Sequence, residues 1–266
     1  GAFVWNNTIY VPNSVFESKV LGRPPDESSD QLIALSWVEA AKKWDYLSEG
    51  ERILGLDPAR YGGDYATMAL RQGNKVHWVK RKRPITSDPS GELAGWLKAE
   101  MDRLGYGCWG FIDEIGIGAG VLDNAKRIGL NVRGVSFSKR ARQNRRFANT
   151  RAELWWRIRE KLQKHELGLP DDDMLAGDLT APKFSYDDLG RVLIEDKDDI
   201  RKRIGRSTDS GDALALTFAV PSLDAVNEDG YDQEALTEQG SRWYMSVKPE
   251  GSRWRTPSSK SRFRRR

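Results

Sequence analysis

The chain has 266 residues, of which 38% are hydrophobic and 31% are charged, and its formal net charge is +4. This length is enough for one large domain or two small ones with a sizeable core. A single cysteine, Cys108, excludes an internal disulfide. With only two histidines beside it, a Cys/His zinc site or a Ser-His-Asp triad is poorly supplied. The sequence contains no run of about 18 apolar residues, so it predicts no membrane span. The first residues lack the pattern of a secretory signal peptide.

The first fifty residues differ from the rest of the chain in composition. Pro12, Pro24 and Pro25 interrupt a polar stretch, and residues 30–45 have the apolar spacing of one amphipathic helix. We interpret residues 1–50 as a connector from an upstream domain that is absent from this sequence.

From residue 51 onward the sequence alternates between strand and helix signals. Three strand-like runs separated by glycine-rich turns predict an antiparallel meander: ERILGLD (51–57), DYATMALRQG (64–73) and KVHWVKRKR (75–83). The next predicted elements are a helix that begins near residues 87–90, a buried strand CWGFID (108–113), a short helix (120–129) and another strand (130–137).

A long helix and a hairpin complete this region. Thr150 and Glu153 have the spacing of a capping box at the start of the helix, and Trp155 lies in its apolar stripe, where we expect a core residue. KFSYDDLGRVLIED (183–196) predicts a hairpin. This order of elements is that of the ribonuclease H-like fold, an α/β architecture with a mixed β-sheet flanked by helices. We predict one such domain over residues 51–221.

Three acidic motifs carry the chemistry of the sequence. Asp57 ends the apolar run of ILGLDPARYGGD, Asp113 and Glu114 end that of CWGFIDEIGIGAG, and Asp209 and Asp212 open the apolar helix of STDSGDALALTFA. Carboxylates at the ends of buried strands and at a helix start can converge on hard divalent cations, which prefer oxygen ligands. Because successive strand residues point to opposite faces, only one residue of the second motif should face such a cation.

Several acidic residues also have structural interpretations. Asp57 precedes a proline and is compatible with an Asx-turn at a strand end, and Asp64 follows two glycines, as turn residues often do. Asp209 and Asp212 are spaced to satisfy free amides at a helix start. The acidic triplet at residues 171–173 is typical of a solvated loop.

Taken together, four stretches of this sequence resemble one protein family. The stretches are LDPARYGGD, FIDEIGIGAGVLD, FANTRAELWWRIRE and GRSTDSGDALALTFA. They resemble the C-terminal nuclease domain of the large terminase subunit of tailed bacteriophages, over residues 51–221. The resemblance implies a fold related to that of Holliday-junction resolvases. It also implies that carboxylates hold two divalent ions, Mg²⁺ or Mn²⁺. With these ions the domain is expected to cleave concatemeric double-stranded DNA during genome packaging.

The resemblance also implies roles for individual residues. Asp57, Asp113 and Asp212 correspond to the metal-binding catalytic residues, and Asp57 is expected to bridge the two ions. Further candidates for the same site are Asp209, Asp64 and Glu114.

The expected partners are DNA, the portal protein, the small terminase subunit and an upstream ATPase domain. The expected location is the host-cell cytoplasm at the procapsid portal, without secretion. No Gly-Lys dipeptide occurs in the sequence, so there is no Walker A loop and we expect no ATP hydrolysis by this chain. Two alternatives stay open. One is a Holliday-junction resolvase or an integrase-like transposase on the same fold, and the other is a non-catalytic packaging-motor module that docks on the portal.

Two basic segments are candidates for contact with nucleic acid. The first supplies possible phosphate contacts from Lys139, Arg140, Arg142, Arg145 and Arg146. The second is the polar segment 222–266, which we predict to be a flexible tail. Residues 222–240 hold six acidic and no basic residues, whereas residues 241–266 hold nine basic residues and one acidic residue. The basic half interleaves aromatic residues with arginines that include Arg262, Arg264 and Arg265, so it is suited to bind DNA or an acidic partner.

Overall fold

The computed structural model of the protein describes residues 3–5, 8–10, 30–44, 49–59, 65–105 and 107–219. The strands are β1 (Phe3–Trp5), β2 (Thr8–Tyr10), β3 (Arg52–Asp57), β4 (Ala66–Gln72), β5 (Lys75–Lys82), β6 (Cys108–Asp113), β7 (Val132–Val135), β8 (Phe184–Tyr186) and β9 (Val192–Ile194). The helices are α1 (Leu35–Ala41), α2 (Pro89–Leu104), α3 (Ile117–Arg127), α4 (Thr150–Gln163), α5 (Asp173–Thr180), α6 (Lys197–Ile204) and α7 (Asp209–Leu216).

Five strands form a central mixed sheet in the order β5-β4-β3-β6-β7. β3 and β5 each pair antiparallel with β4, whereas β6 runs parallel to both β3 and β7. β8 and β9 form a separate antiparallel pair. The predicted meander, the predicted hairpin and the predicted α/β architecture with a mixed sheet are therefore confirmed.

Because side chains alternate across a strand, each central strand contributes to two cores. On one face, Leu54 of β3 packs with α2 and α3 in an apolar cluster. On the other face, Ile53 of β3 and Phe111 of β6 pack with α1, α4, α5 and α7. Gly55 lies under α7, and a Cβ added to it would stand 2.0 Å from the carbonyl oxygen of Ala213. The missing side chain therefore lets α7 approach the backbone of β3.

The predicted helix over residues 30–45 is shorter in the structure, where α1 begins at Leu35. The preceding residues are not helical: the amide of Leu32 donates to the carbonyl of Pro182 at 3.1 Å, and Gln31 forms a β-bridge with Lys183. Leu32 is fully buried in the core beside α4 and α7. The interpretation of residues 1–50 as a connector stays a prediction.

The start of α4 also differs from the sequence-based expectation. Asn149 is the N-cap, and its side-chain oxygen accepts a hydrogen bond from the amide of Ala152 at 2.9 Å. The carboxylate of Glu153 instead accepts from the amide of Arg142 at 2.7 Å. The predicted capping box between Thr150 and Glu153 is therefore wrong, and Glu153 ties the preceding loop to the helix.

Helices α5 and α6 have no counterpart among the predicted elements. In the acidic triplet 171–173, Asp171 and Asp173 are exposed as predicted. Asp172 differs from the prediction, because it caps α5 by accepting from the amide of Leu175 at 2.9 Å. Asp172 also pairs with Arg81 of β5 at 2.8 Å. Within the described ranges, no helix is long and apolar enough to cross a membrane.

Candidate active site

Two carboxylates lie side by side at one edge of the central sheet. β3 and β6 are parallel neighbours in which Leu56 pairs with Ile112, so the next residues, Asp57 and Asp113, end their strands together. Neighbouring strands lie about 4.8 Å apart. The alternation of each strand turns both carboxylates towards the face that α7 covers, and both residues are buried.

A third carboxylate comes from α7. The close approach of this helix to β3 at Gly55 brings Asp212, in its first turn, into the core with no solvent exposure. The predicted site residues Asp57, Asp113 and Asp212 therefore come from two neighbouring strands and from the helix that packs across them.

An ammonium group lies between two of these carboxylates. The Nζ atom of Lys197, at the start of α6, is 3.0 Å from Oδ2 of Asp57 and 3.1 Å from Oδ2 of Asp212. The side chain of Lys197 remains 34% exposed, so it reaches the pair from the solvent side. Sequence reasoning missed this residue, because the surrounding KDDIRKR pattern is that of an exposed helix face.

The other oxygen of Asp212 faces α4. Its Oδ1 atom accepts hydrogen bonds from Nε1 of Trp155 at 2.8 Å and from Nε of Arg151 at 3.1 Å. Arg151 also donates from Nη1 to the carbonyl of Glu195 at 2.7 Å. The predicted core position of Trp155 is confirmed. The sequence gives one indication that Trp155 also donates a hydrogen bond, since a buried indole N–H needs an acceptor.

The charges around this site shift the pKa values of its carboxylates in opposite directions. Burial raises the pKa of Asp57 above its usual range, Lys197 offsets part of this rise, and the charge of Asp212 adds to it. Burial acts in the same direction on Asp212, but Arg151 and Lys197 outweigh it, so the pKa of Asp212 lies below its usual range. Asp212 is therefore the more firmly ionised member of the pair.

Asp113 and Glu114 have different surroundings. Asp113 ends β6 and accepts from the amide of Ile115 at 3.1 Å, and burial raises its pKa above the usual range. The carboxylate of Glu114 pairs with Lys139 at 2.6 Å and lies beside Gly134, a residue of the next strand, β7. The structure therefore brings Asp113, and not Glu114, to the side of Asp57.

A cleft of about 320 Å³ opens at this edge of the sheet. Asp57, Lys197 and Asp209 contribute to its lining together with the apolar side chains of Ile115 and Ile117. Asp209, the first residue of α7, accepts a hydrogen bond from the hydroxyl of Ser207. The remaining candidate, Asp64, lies outside the described residues.

The arrangement of acidic side chains decides whether the site suits a divalent cation. In the part of the chain that the structure describes, no three His, Cys, Asp or Glu side chains are arranged to hold a metal ion together. Two carboxylate oxygens, however, already converge on one cationic atom, the Nζ of Lys197. The nearby donors are oxygens, which suits Mg²⁺ or Mn²⁺. The residues fit a cation that replaces this ammonium.

The predicted basic segment divides into paired and unpaired residues. Lys139 pairs with Glu114, and Arg146 pairs with Glu160 of α4. The others are exposed and form no ion pair with any described residue: Arg140, Arg142 and Arg145. The tail arginines Arg262, Arg264 and Arg265 lie outside the described residues.

The fold has counterparts among solved structures of large terminase subunits of bacterial viruses. The nuclease domain of the large terminase subunit gp2 of bacterial virus Sf6 matches with a TM-score of 0.62 and 17% identity, over 72% of this chain and 99% of that domain. A lysine-to-alanine mutant of that domain, with manganese and β-thujaplicinol, gives the same TM-score, identity and coverage. The HK97 bacteriophage large terminase matches with a TM-score of 0.52 and 10% identity, over 70% of this chain and 43% of that protein.

No protein-family model matches the chain, and no curated protein matches it either. The relationship is therefore carried by the order and direction of the strands and by the helices that cover them. The chain has the ribonuclease H-like fold of the nuclease domains of bacteriophage large terminase subunits.

Proposed function

We propose that this chain is a divalent-metal-dependent endodeoxyribonuclease that cuts concatemeric viral double-stranded DNA during genome packaging. The observation that carries the proposal is the convergence of Asp57 and Asp212 on one cation, the ammonium of Lys197, at 3.0 and 3.1 Å. Buried carboxylates of like charge would otherwise repel each other, so this arrangement is suited to a bound cation. The shared fold with terminase nuclease domains supports DNA as the substrate.

In this proposal Asp57 would help to hold both divalent ions. It ends its strand beside Asp113, and it faces Asp212 across Lys197. Two divalent ions, when bound, supply stabilisation of the attacking and leaving oxygens in phosphodiester hydrolysis. Asp57 and Asp212 would hold one ion and Asp57 and Asp113 the other, while Asp209 stands at the cleft wall as a further oxygen donor.

Lys197 would have to leave its position for an ion to be held by Asp57 and Asp212. Its side chain is partly exposed and enters from α6, so the ammonium can swing towards the cleft without unpacking the core. Lysine carries its charge on a flexible four-carbon stem. We therefore propose that Lys197 neutralises Asp57 and Asp212 in the metal-free protein and competes with the ion.

The DNA contacts that we propose lie on the loop before α4. Arg140, Arg142 and Arg145 project from a backbone that Glu153 fixes through the amide of Arg142, so their charges are held close to α4. Arg151 of the same helix contacts Asp212. The loop is thus tied to the helix that supports the site. Contacts from this loop to DNA phosphates would therefore position the DNA relative to the carboxylates. A contribution of the tail to DNA binding remains a proposal from its composition. Contributions from the portal protein and the small terminase subunit remain proposals from the family resemblance.

The test of this function is plasmid cleavage by the full chain with Mn²⁺, with Mg²⁺ and with EDTA. We expect nicking and linearisation with either ion and none in EDTA, because the candidate ligands are oxygens. Undiminished cleavage in EDTA would overturn the metal-dependent mechanism. The rate on plasmid is also compared with the rates on a four-way junction and on transposon-like donor ends, since a strong preference for either would favour the resolvase or transposase alternative.

A folded chain that cuts none of these substrates with any ion would favour the non-catalytic portal-docking alternative. Binding to isolated portal protein, measured by surface plasmon resonance, would then decide whether that alternative holds.

DNA binding by the loop has its own measurement, the dependence of affinity on salt concentration. The triple variant Arg140→Gln, Arg142→Gln, Arg145→Gln should lower the slope of log affinity against log salt by roughly 0.9 for each phosphate that the loop no longer neutralises. The matched control is Lys98→Gln on α2, which removes a charge that pairs with Asp102 on the opposite face of the sheet. Equal slopes for the triple variant and the wild type would remove the loop from the DNA interface.

A further inference from the structure

The two oxygens of the Asp212 carboxylate have different partners. Oδ1 accepts from Trp155 Nε1 at 2.8 Å and from Arg151 Nε at 3.1 Å, both on α4. Oδ2 faces the hydroxyl of Thr208 at 3.3 Å and the ammonium of Lys197 at 3.1 Å. One oxygen is therefore held by the protein interior and the other is directed to the cation position.

We propose that Arg151 and Trp155 are positioning residues, which fix the Asp212 carboxylate so that Oδ2 alone is presented to a divalent ion. This inference rests on the proposed function and goes further, because it assigns the way in which Asp212 binds. With Oδ1 engaged by two N–H donors, Asp212 is a monodentate ligand. Outer partners of this kind orient a ligating carboxylate and tune its affinity for metal.

The packing around the two donors keeps them in place. Trp155 has no solvent exposure, and its ring lies against α7 at Gly211, where an added Cβ would stand 2.3 Å from the indole. Arg151 is held at its other end by the carbonyl of Glu195 at 2.7 Å. Neither donor can follow a rotating carboxylate, so the orientation of Asp212 is set before any ion arrives.

The third nitrogen of the Arg151 guanidinium supports a role in positioning. Its Nη2 atom is buried and has no hydrogen-bond partner among the described residues. A buried donor without a partner is unfavourable for stability. The guanidinium nevertheless occupies this place, where its Nε atom reaches Asp212. The arrangement favours a placement dictated by the carboxylate over one dictated by the stability of the core.

Trp155 gives the cleaner test of the two residues. Removing Arg151 deletes a positive charge beside the site, which by itself would strengthen the binding of a cation and oppose the loss of orientation. Replacing Trp155 by Phe removes one neutral N–H donor and keeps an aromatic ring in the core. The adjacent residue provides a matched control, because Trp156 Nε1 also donates to a carboxylate on α4, that of Glu160, at 3.0 Å.

The experiment is a Mn²⁺ titration of the full chain followed by electron paramagnetic resonance, with wild type, Trp155→Phe and Trp156→Phe compared. We expect Trp155→Phe to bind Mn²⁺ about tenfold more weakly, the lower end of the range for outer partners of a ligand. Trp156→Phe should bind like the wild type. In plasmid cleavage, Trp155→Phe should need a correspondingly higher Mn²⁺ concentration, whereas its KM for DNA should be unchanged.

The outcomes separate this inference from the proposed function. If wild type binds Mn²⁺ and cuts DNA, and both Phe variants bind Mn²⁺ equally well, the positioning role is overturned and the nuclease stands. If wild type itself neither binds Mn²⁺ nor cuts, the proposed function fails. A Trp155→Phe protein that loses stability but keeps its Mn²⁺ affinity shows a merely structural role.

Should Trp155→Phe fail to fold, Arg151→Lys carries the test, because a flexible ammonium keeps the charge without fixing the carboxylate. Weaker Mn²⁺ binding by this variant is the expected result, and unchanged affinity overturns the proposal.

Discussion

The two faces of the central sheet share the same strands but bury different side chains. Under α2 and α3 the core is apolar, and the only buried charge of the described residues on these helices is Glu100, which pairs with Lys80 and Arg103. Under α7 and α4 the same sheet buries charged groups around the ends of β3 and β6: Asp57, Asp113, Arg151 and Asp212.

This difference separates the residues that hold the fold together from those that we propose to act on DNA. An apolar face stabilises a domain by removing hydrocarbon from water. A face with buried charges is stable only while each charge has a partner. Substitutions of the carboxylates should therefore reduce activity, whatever they do to stability. Substitutions in the apolar core should reduce stability and leave the activity of the folded protein unchanged.

The largest effect is expected from the carboxylates that share Lys197. Asp57→Asn and Asp212→Asn should each reduce metal-dependent plasmid cleavage by more than the roughly 100-fold that is lost with outer partners of a metal ligand. Each removes a charged ligand without a change in size. Asp102→Asn, an exposed carboxylate on α2 that pairs with Lys98, is the control and should cut normally. Near-normal cleavage by Asp57→Asn would remove that residue from the site.

The same two variants should differ in stability. Asp212→Asn leaves the buried Arg151 without its carboxylate and should lower the free energy of unfolding by about 3 kcal/mol. In Asp57→Asn, Lys197 keeps Asp212 as its partner, so the expected loss is below about 1 kcal/mol. Urea denaturation in EDTA measures both values, and equal losses would contradict the unequal partnerships seen in the structure.

On the apolar face, a substitution should lower the stability of the protein and leave its specific activity unchanged. Leu97 of α2 is fully buried, so Leu97→Ala should lower the free energy of unfolding by about 2–5 kcal/mol through reduced burial and a residual cavity. Cleavage per folded molecule, measured well below the melting temperature, should equal that of the wild type. A loss of specific activity without a loss of stability would show that α2 contributes to the chemistry.

An intermediate effect is expected from the ammonium at the site. Lys197→Met removes the competing cation, so the Mn²⁺ concentration at half-saturation should fall, by about tenfold if the competition is worth about 1.4 kcal/mol. Electron paramagnetic resonance measures this affinity independently of cleavage. Lys202→Met, on the same helix and paired with the exposed Asp199 at 2.8 Å, is the control. Weaker Mn²⁺ binding by Lys197→Met would show that Lys197 helps to hold the ion.

The smallest effect on cleavage is expected from substitution of Glu114, the neighbour of the proposed ligand Asp113. Glu114 points towards Lys139 and β7, so Glu114→Gln should change the rate of plasmid cleavage by less than about twofold, a difference typical of exposed ion pairs. Asp113→Asn should reduce cleavage far more. The opposite ranking would exchange the roles of Asp113 and Glu114.

The strands of the central sheet could be predicted because the sequence patterns that indicate a strand are local. The apolar runs that end at Asp57 and Asp113 are short, rich in strand formers and bounded by turns. Helix α6 escaped prediction because its polar sequence, KDDIRKRI, has little apolar periodicity. Helix α5 has only eight residues, which is too short for a clear periodic signal. The capping box failed because Asn149 competes for the same amides as Thr150.

The partners of the candidate site could not be predicted, since they come from elements far apart in the chain. Lys197 is 140 residues from Asp57, and Trp155 is 57 residues from Asp212. A carboxylate at a strand end can be recognised in the sequence, because it follows an apolar run. The position of an ammonium or an indole N–H that contacts this carboxylate depends on tertiary packing alone. The sequence therefore indicates the candidate ligands, and the structure adds the groups that neutralise and orient them.

The most direct test of the account is a crystal structure of the full chain grown with Mn²⁺, in which anomalous scattering locates the ion. We predict a peak between Asp57 and Asp212, about 2.2 Å from Oδ2 of each, with the Lys197 ammonium displaced and Oδ1 of Asp212 still bonded to Trp155. Manganese bound only at other positions, with Lys197 still between Asp57 and Asp212 at saturating Mn²⁺, would contradict the account.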